Sequence, residues 1–117
     1  MKYMLLVYLD QDYEKTSLSE REQIYSAQLK LGQELTASGR YLAGAPLYPP
    51  STATSVRVRE GQRLLTDGPF AETREHLGGY MLIDVENLDE AIAIAARSPV
   101  ARVGTVEVRP VREGPPA

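Results

Sequence analysis

The chain has 117 residues, 43% of them hydrophobic and 25% charged, with a formal net charge of −3 and no cysteine. That is the profile of one ordinary globular domain, long enough to bury roughly two-thirds of its unfolded surface. The acidic balance argues against a phosphate-backbone binder and so against direct nucleic-acid contact; the missing cysteine removes disulfides, thiolate metal sites and a Cys nucleophile.

Tyr3–Tyr8 is a nearly continuous apolar run, as expected of a central strand covered on both faces or paired on both edges. The run stops at Asp10 with no small-residue cleavage site, so it reads as a strand and not a signal peptide. No stretch approaches the roughly 20 apolar residues of a membrane span. A cytoplasmic protein without membrane contact is expected. Asp10, Asp12 and Glu14 alternate in the polar loop that follows. They lack the Gly and distal Glu of a calcium loop, so a solvated loop is expected and no metal site.

Ser19 with Glu22 forms a capping-box pattern, and Ser17 with Glu20 gives an alternative register. Ile24, Ala27, Leu31 and Leu35 then fall at helical spacing, and Gly39 suits a left-handed cap. Tyr41–Leu47 is a short strand whose Gly44 marks a bulge or a close backbone approach. Tyr48-Pro-Pro-Ser-Thr is a loop. Ser55–Arg59 and Gln62–Thr66 form a hairpin about Glu60-Gly61, with either a two-residue turn or a Gly bulge.

Tyr80–Val85 is a second apolar strand. Asn87 with Glu90 caps a second helix, whose stripe is Leu88, Ala91, Ile92 and Ala95, and Pro99 closes it. Thr105–Arg109 alternates as a half-exposed last strand. One domain over residues 1–112 and a flexible tail over 113–117 are expected.

The order β–α–β, hairpin, β–α–β gives two helices with one apolar stripe each. They cover one face of an antiparallel sheet, which predicts an α+β, ferredoxin-like sandwich. Tyr3 or Met4, Tyr8, Met81 and Ile83 are then left as an apolar patch on the other face. A homodimer packed sheet to sheet as an α+β barrel covers it.

Residues 67–80 read Asp-Gly-Pro-Phe-Ala-Glu-Thr-Arg-Glu-His-Leu-Gly-Gly-Tyr and hold the single Phe and the single His. Turn residues framing a charged core mark a firmly held loop, and such loops often bind or catalyse. The segment can be read as a short helix from Pro69 to Gly78. Asp67 then serves either as a turn residue or as a partly buried carboxylate doing acid–base work, and it is the candidate catalytic group.

Free amides at Gly68 suit an anionic ligand group. Phe70 anchors the loop. Glu72 and His76 share a face if the segment is helical. Tyr8, Tyr80 and Arg57 are strand residues expected to line a cleft beside Asp67. The candidate ligand-binding set is therefore Tyr8, Arg57, Gly68, Phe70, His76 and Tyr80. Neither a Ser–His–Asp arrangement nor a phosphate-loop glycine spacing is present, and no metal or cofactor is implied.

Several stretches together resemble the YCII-related family, in its DGPF branch: Lys2-Tyr-Met-Leu-Leu-Val-Tyr, Ala45-Pro-Leu, Thr54-Ser-Val-Arg-Val-Arg, Asp67-Gly-Pro-Phe-Ala-Glu-Thr, Leu77-Gly-Gly-Tyr, Leu88-Asp-Glu-Ala and Val106-Glu-Val-Arg-Pro. The resemblance covers about the whole chain and implies a ferredoxin-like dimer, but no known reaction. In the founding YCII proteins a site is built from a helix-1 His and an Asp near the end of helix 2. Gln28 stands at that His position here, and Ala96 and Ser98 fall where the Asp is expected, so the pair is absent. Arg74 and His76 stand where Lys and Gln are more usual in the branch.

Two roles follow. The first is a homodimer that binds a small polar or anionic molecule near the 67–80 loop, with Asp67 available for acid–base chemistry. The second, implied by the resemblance, is a non-catalytic accessory module associated with extracytoplasmic-function sigma factors through a regulatory protein partner.

Overall fold

The computed structural model describes residues 1–116. The first strand, β1 (Lys2–Asp10), leads to helix α1 (Leu18–Ala37) and strand β2 (Tyr41–Pro46). A hairpin of β3 (Thr54–Arg59) and β4 (Gln62–Asp67) follows, then β5 (Glu75–Asp84), helix α2 (Leu88–Arg97) and β6 (Gly104–Pro110). Four strands form one antiparallel sheet in the order β2-β5-β1-β6, while β3 and β4 pair only with each other. Leaving the hairpin aside, this is the order of a ferredoxin-like α+β sandwich with the hairpin inserted before its third strand. β1 is paired on both edges, as its apolar run predicts.

Strand alternation sorts the sheet into two faces. Tyr3, Leu5, Met81 and Ile83 pack with Leu31 and Leu35 of α1 and with Ala91, Ile94 and Ala95 of α2 to form the core. Neighbouring strand residues, Met4, Leu6, Tyr8, Tyr80 and Leu82, point to the opposite face, where they are half-buried. The expected apolar patch therefore has different members: Tyr3, Met81 and Ile83 lie beneath the helices. A central strand apolar on both faces does not reveal which parity turns inward.

Ser17 caps α1, its Oγ accepting from Glu20 N at 3.1 Å, so the earlier of the two capping registers is the one used. Asn87 caps α2 in the same way, accepting from Glu90 N at 2.9 Å. Gly39 ends α1 at φ +75°. On α2 the buried stripe is Ala91, Ile94 and Ala95, whereas Leu88 and Ile92 are exposed. The stripe expected through Ile92 is thus rotated, because the run Ala91-Ile-Ala-Ile-Ala-Ala is apolar on every side.

Glu60 and Gly61 take φ values of +50° and +74°, the two-residue turn whose twist matches a hairpin. No residue of β3 or β4 is buried.

The helix expected between Pro69 and Gly78 does not form. Residues 68–74 are irregular, and β5 starts at Glu75, paired with Asp10, with His76 opposite Leu9. Gln11 N donates to Arg74 O at 2.7 Å, extending that ladder. Long-range pairing to the end of β1 supplies backbone partners that a one-turn helix offers less well. Residues 111–116 carry no helix or strand; the last residue of the expected tail, Ala117, lies outside the described residues.

Candidate functional site

A cavity of about 720 Å³ opens between α1 and the sheet, along the helix from Arg21 to Ala37. Val7 and Leu9 of β1, Met81 of β5 and the end of β2 from Gly44 to Leu47 make its floor and one wall. Arg21, Ile24, Tyr25 and Gln28 descend from α1, and Val100 closes the end nearest α2. Glycine makes room for it. Gly78 and Gly79 put no side chain on the floor, and Gly32 leaves a gap in the roof. A Cβ on Gly44 would lie 2.8 Å from Tyr80 O, so this close strand approach admits nothing larger.

The lining is mainly apolar, with polar groups from Tyr13, Arg21, Tyr25, Gln28, Gln33, Thr36 and Tyr41. At the inner end Ser98 Oγ donates to Gln28 Oε1 at 2.7 Å and accepts from Val100 N at 3.3 Å. Ser98 is only 1% exposed. Gln28 Nε2 is directed at Met81 Sδ, 3.5 Å away. Residue 28, at the founding His position, therefore does meet residue 98, one of the two that fall where the founding Asp is expected. They meet as an amide and a hydroxyl, neither of which titrates, so this pair has no group that takes a proton.

At the outer end stand Tyr13 and Arg21. Burial pushes the Tyr13 phenol above its usual 10.0, while the Arg21 guanidinium pulls the other way. Tyr13 is therefore a neutral donor at physiological pH. Arg21 Nε is sealed from solvent and has no hydrogen-bond partner. Among the described residues no carboxylate pairs with this guanidinium.

The seven residues singled out in the sequence do not converge within one chain. Asp67 is exposed at the end of β4 opposite Thr54, and its carboxylate makes no hydrogen bond or ion pair among the described residues. Arg57 pairs with Leu64, so strand alternation sets it on the hairpin face opposite Asp67. Gly68 turns the chain at φ +90°, donating to Ala53 O at 2.7 Å. Phe70 is 75% exposed and does not enter the core. His76 borders a separate cavity of about 330 Å³ with Glu14, Pro69 and Glu72. Tyr8 is on the open sheet face, opposite Leu77 and Thr105. Tyr80 borders the large cavity, although its alternation with buried Met81 directs its side chain to the open face.

Arg21 and Tyr13 were not among the sequence candidates. One signal was present: Arg21 and Gln28 occupy the same helical stripe as Ile24, Leu31 and Leu35. A polar residue repeated in an apolar stripe marks a place where the stripe faces something other than core.

Comparison with known proteins now decides the family, because the profile of the YCII-related domain matches residues 1–114. The chain belongs to the YCII-related family. An uncharacterised protein of Rhizobium meliloti is 34% identical over 114 residues, covering 95% of this chain and 92% of that one. The fold of this YCII-related chain is also similar to that of 5-chloro-2-hydroxyhydroquinone dehydrochlorinase from Burkholderia phenoliruptrix, solved with 2,5-dihydroxybenzoquinone. That likeness has a TM-score of 0.56 at 17% identity, covering 97% of this chain and 96% of the other. At such identity it speaks for the fold alone. Among the described residues no helix is long and apolar enough to cross a membrane.

Proposed function

We propose that this YCII-related protein binds a small organic molecule in the cavity between α1 and the sheet. The observation that carries the reading is the cavity itself: about 720 Å³, mainly apolar in its walls, with a small number of polar groups among them. Volumes of 300–1,000 Å³ with such a lining are typical of small-molecule sites. The fold's structural neighbour was solved with a small cyclic compound, which supports a ligand of that size class. Gln28, held by Ser98, would fix the ligand's orientation. The arrangement favours recognition over proton transfer, since neither group titrates. Acid–base chemistry by Asp67 would require a second copy to enclose it.

That second copy is part of the proposal. Met4, Leu6, Tyr8, Tyr80 and Leu82 form an apolar face that no helix covers, and a homodimer packed on it would remove that area from water. A sedimentation-equilibrium mass of one chain at micromolar concentration would remove this part of the reading.

The cavity is tested by filling it. A Cβ on Gly32 would meet Tyr41 Cε2 at 3.7 Å, an ordinary contact, so Gly32→Leu is expected to fold and to occupy the space beneath α1. Calorimetry and thermal-shift measurements with a panel of monocyclic aromatic compounds should find binders of the wild-type chain that Gly32→Leu no longer takes. A panel without hits, or hits indifferent to the substitution, would overturn the proposal.

A further inference from the structure

Arg21 is the group in this molecule whose placement is hardest to explain by folding alone. A guanidinium presents five donors and cannot lose its charge. Folded proteins rarely leave such a group beside apolar walls without a carboxylate or carbonyl, because an unsatisfied buried donor is destabilising. Here the Nε is out of reach of water and unpaired. Arg40 pairs with Glu90 and Arg97 with Glu34. Arg57, Arg59 and Arg63, also without an ion pair among the described residues, stand on the exposed hairpin and not at a cavity. Glu20 and Glu22 flank Arg21 in sequence, yet neither forms an ion pair with it. Arg21, half-buried, lines the cavity, and its charge has no acidic partner among the described residues.

We infer that the Arg21 end of the cavity is an anion anchor, and that the ligand is a monoanionic carboxylic acid carried on an apolar, ring-sized body. This rests on the binding reading above and specifies the ligand class for the same site. The two terminal Nη groups of Arg21 can take one carboxylate with two parallel hydrogen bonds, the sealed Nε having no part in that contact. Tyr13, on the same rim, supplies a neutral hydroxyl donor and no competing negative charge. The apolar walls from Ile24 to Val7 then receive the body of the ligand. Gln28 at the far end offers an amide to a second, uncharged polar substituent. A dianion such as a phosphate monoester fits poorly, since one guanidinium and one phenol leave its second charge in an apolar enclosure.

Matched compounds separate the anchor from the cavity. The probes are 3-phenylpropionate and its neutral isostere 3-phenylpropanamide, titrated calorimetrically into wild-type protein, Arg21→Gln, Arg21→Lys and Gly32→Leu. Wild-type protein should prefer the carboxylate by about tenfold or more, the usual scale for charge-assisted hydrogen bonds. Arg21→Gln should abolish that preference, and Arg21→Lys should restore part of it. A circular-dichroism spectrum and an unfolding midpoint matching wild type show that each variant is folded.

If both compounds bind equally to wild-type protein and both are lost in Gly32→Leu, the cavity reading stands and the anchor is wrong. A preference that survives Arg21→Gln also overturns the anchor. If neither compound binds, the cavity reading and the anchor both fall.

Discussion

The two helices lie on the same face of one sheet and meet it differently. α2 buries Ala91, Ile94 and Ala95 in ten residues. Its small alanines let the backbone come close, and Ile94 fills the remaining space at 2% exposure. α1 is twice as long yet buries only Leu31 and Leu35, both in its second half. Along most of its length, from Arg21 to Ala37, it stands over glycine-bearing strand floor, and beside the two leucines the result is an open cavity instead of a continuous core. α2 therefore serves the core, while α1 serves the core at two leucines and roofs a cavity.

This contrast is most easily broken at two isoleucines. Ile94→Ala should cost about 2–5 kcal/mol, because it empties a position packed on all sides. Ile24→Ala should cost less than about 1 kcal/mol, since one flank of that side chain already faces a void. Urea unfolding of the two variants gives both values. Equal losses would mean that the first half of α1 is packed as tightly as α2, and the cavity would close with that result.

The hydrogen-bonded pair that joins α1 to the C-cap of α2 comes next. Ser98→Ala leaves Gln28 Oε1 and Val100 N without their partner in a nearly solvent-free place, which should cost about 1–3 kcal/mol. Adding Gln28→Leu removes one of the two stranded groups. The double variant should then be less destabilised than the two single losses added together. Strict additivity would show that the 28–98 contact contributes nothing of its own.

How much of this was legible before the structure depends on the range of each determinant. The Asn87 cap, Gly39 and the position of the Glu60-Gly61 turn are set by neighbours within a few residues, and each is where the sequence places it. α1 uses the alternative capping register, at Ser17, and β5 begins five residues before the expected Tyr80. The 68–74 segment went wrong for the opposite reason. Pro69 and Gly78 satisfy local helix rules, but the partners that decide it, Leu9 and Asp10, are more than sixty positions away.

Burial parity failed where apolar residues occupy both faces, as at Met4 and Met81, or all sides, as at Ile92 and Ile94. The candidate site suffered most. A charged motif loop draws attention to Asp67 and Phe70, which stand exposed in the single chain, while Arg21 resembles an ordinary surface residue of a helix. Only the family resemblance brought positions 28 and 98 together, and it did so by showing which residues were missing.

Gly32 tests the contrast at its smallest scale. A glycine inside a helix usually costs about 0.5–1 kcal/mol relative to alanine, through backbone entropy. Gly32 does not adopt a positive φ, and an added Cβ would meet nothing nearer than Tyr41 Cε2 at 3.7 Å. Neither conformation nor close approach therefore requires it, and room beneath the helix is the remaining reason for its presence.

Gly32→Ala should raise stability by about 0.5–1 kcal/mol while ligand binding persists, because one methyl group takes up little of the space. A loss of stability would mean that the backbone at Gly32 needs the freedom of glycine after all. The roof of the cavity would then be shaped by strain in α1, and the argument from space would have to give way.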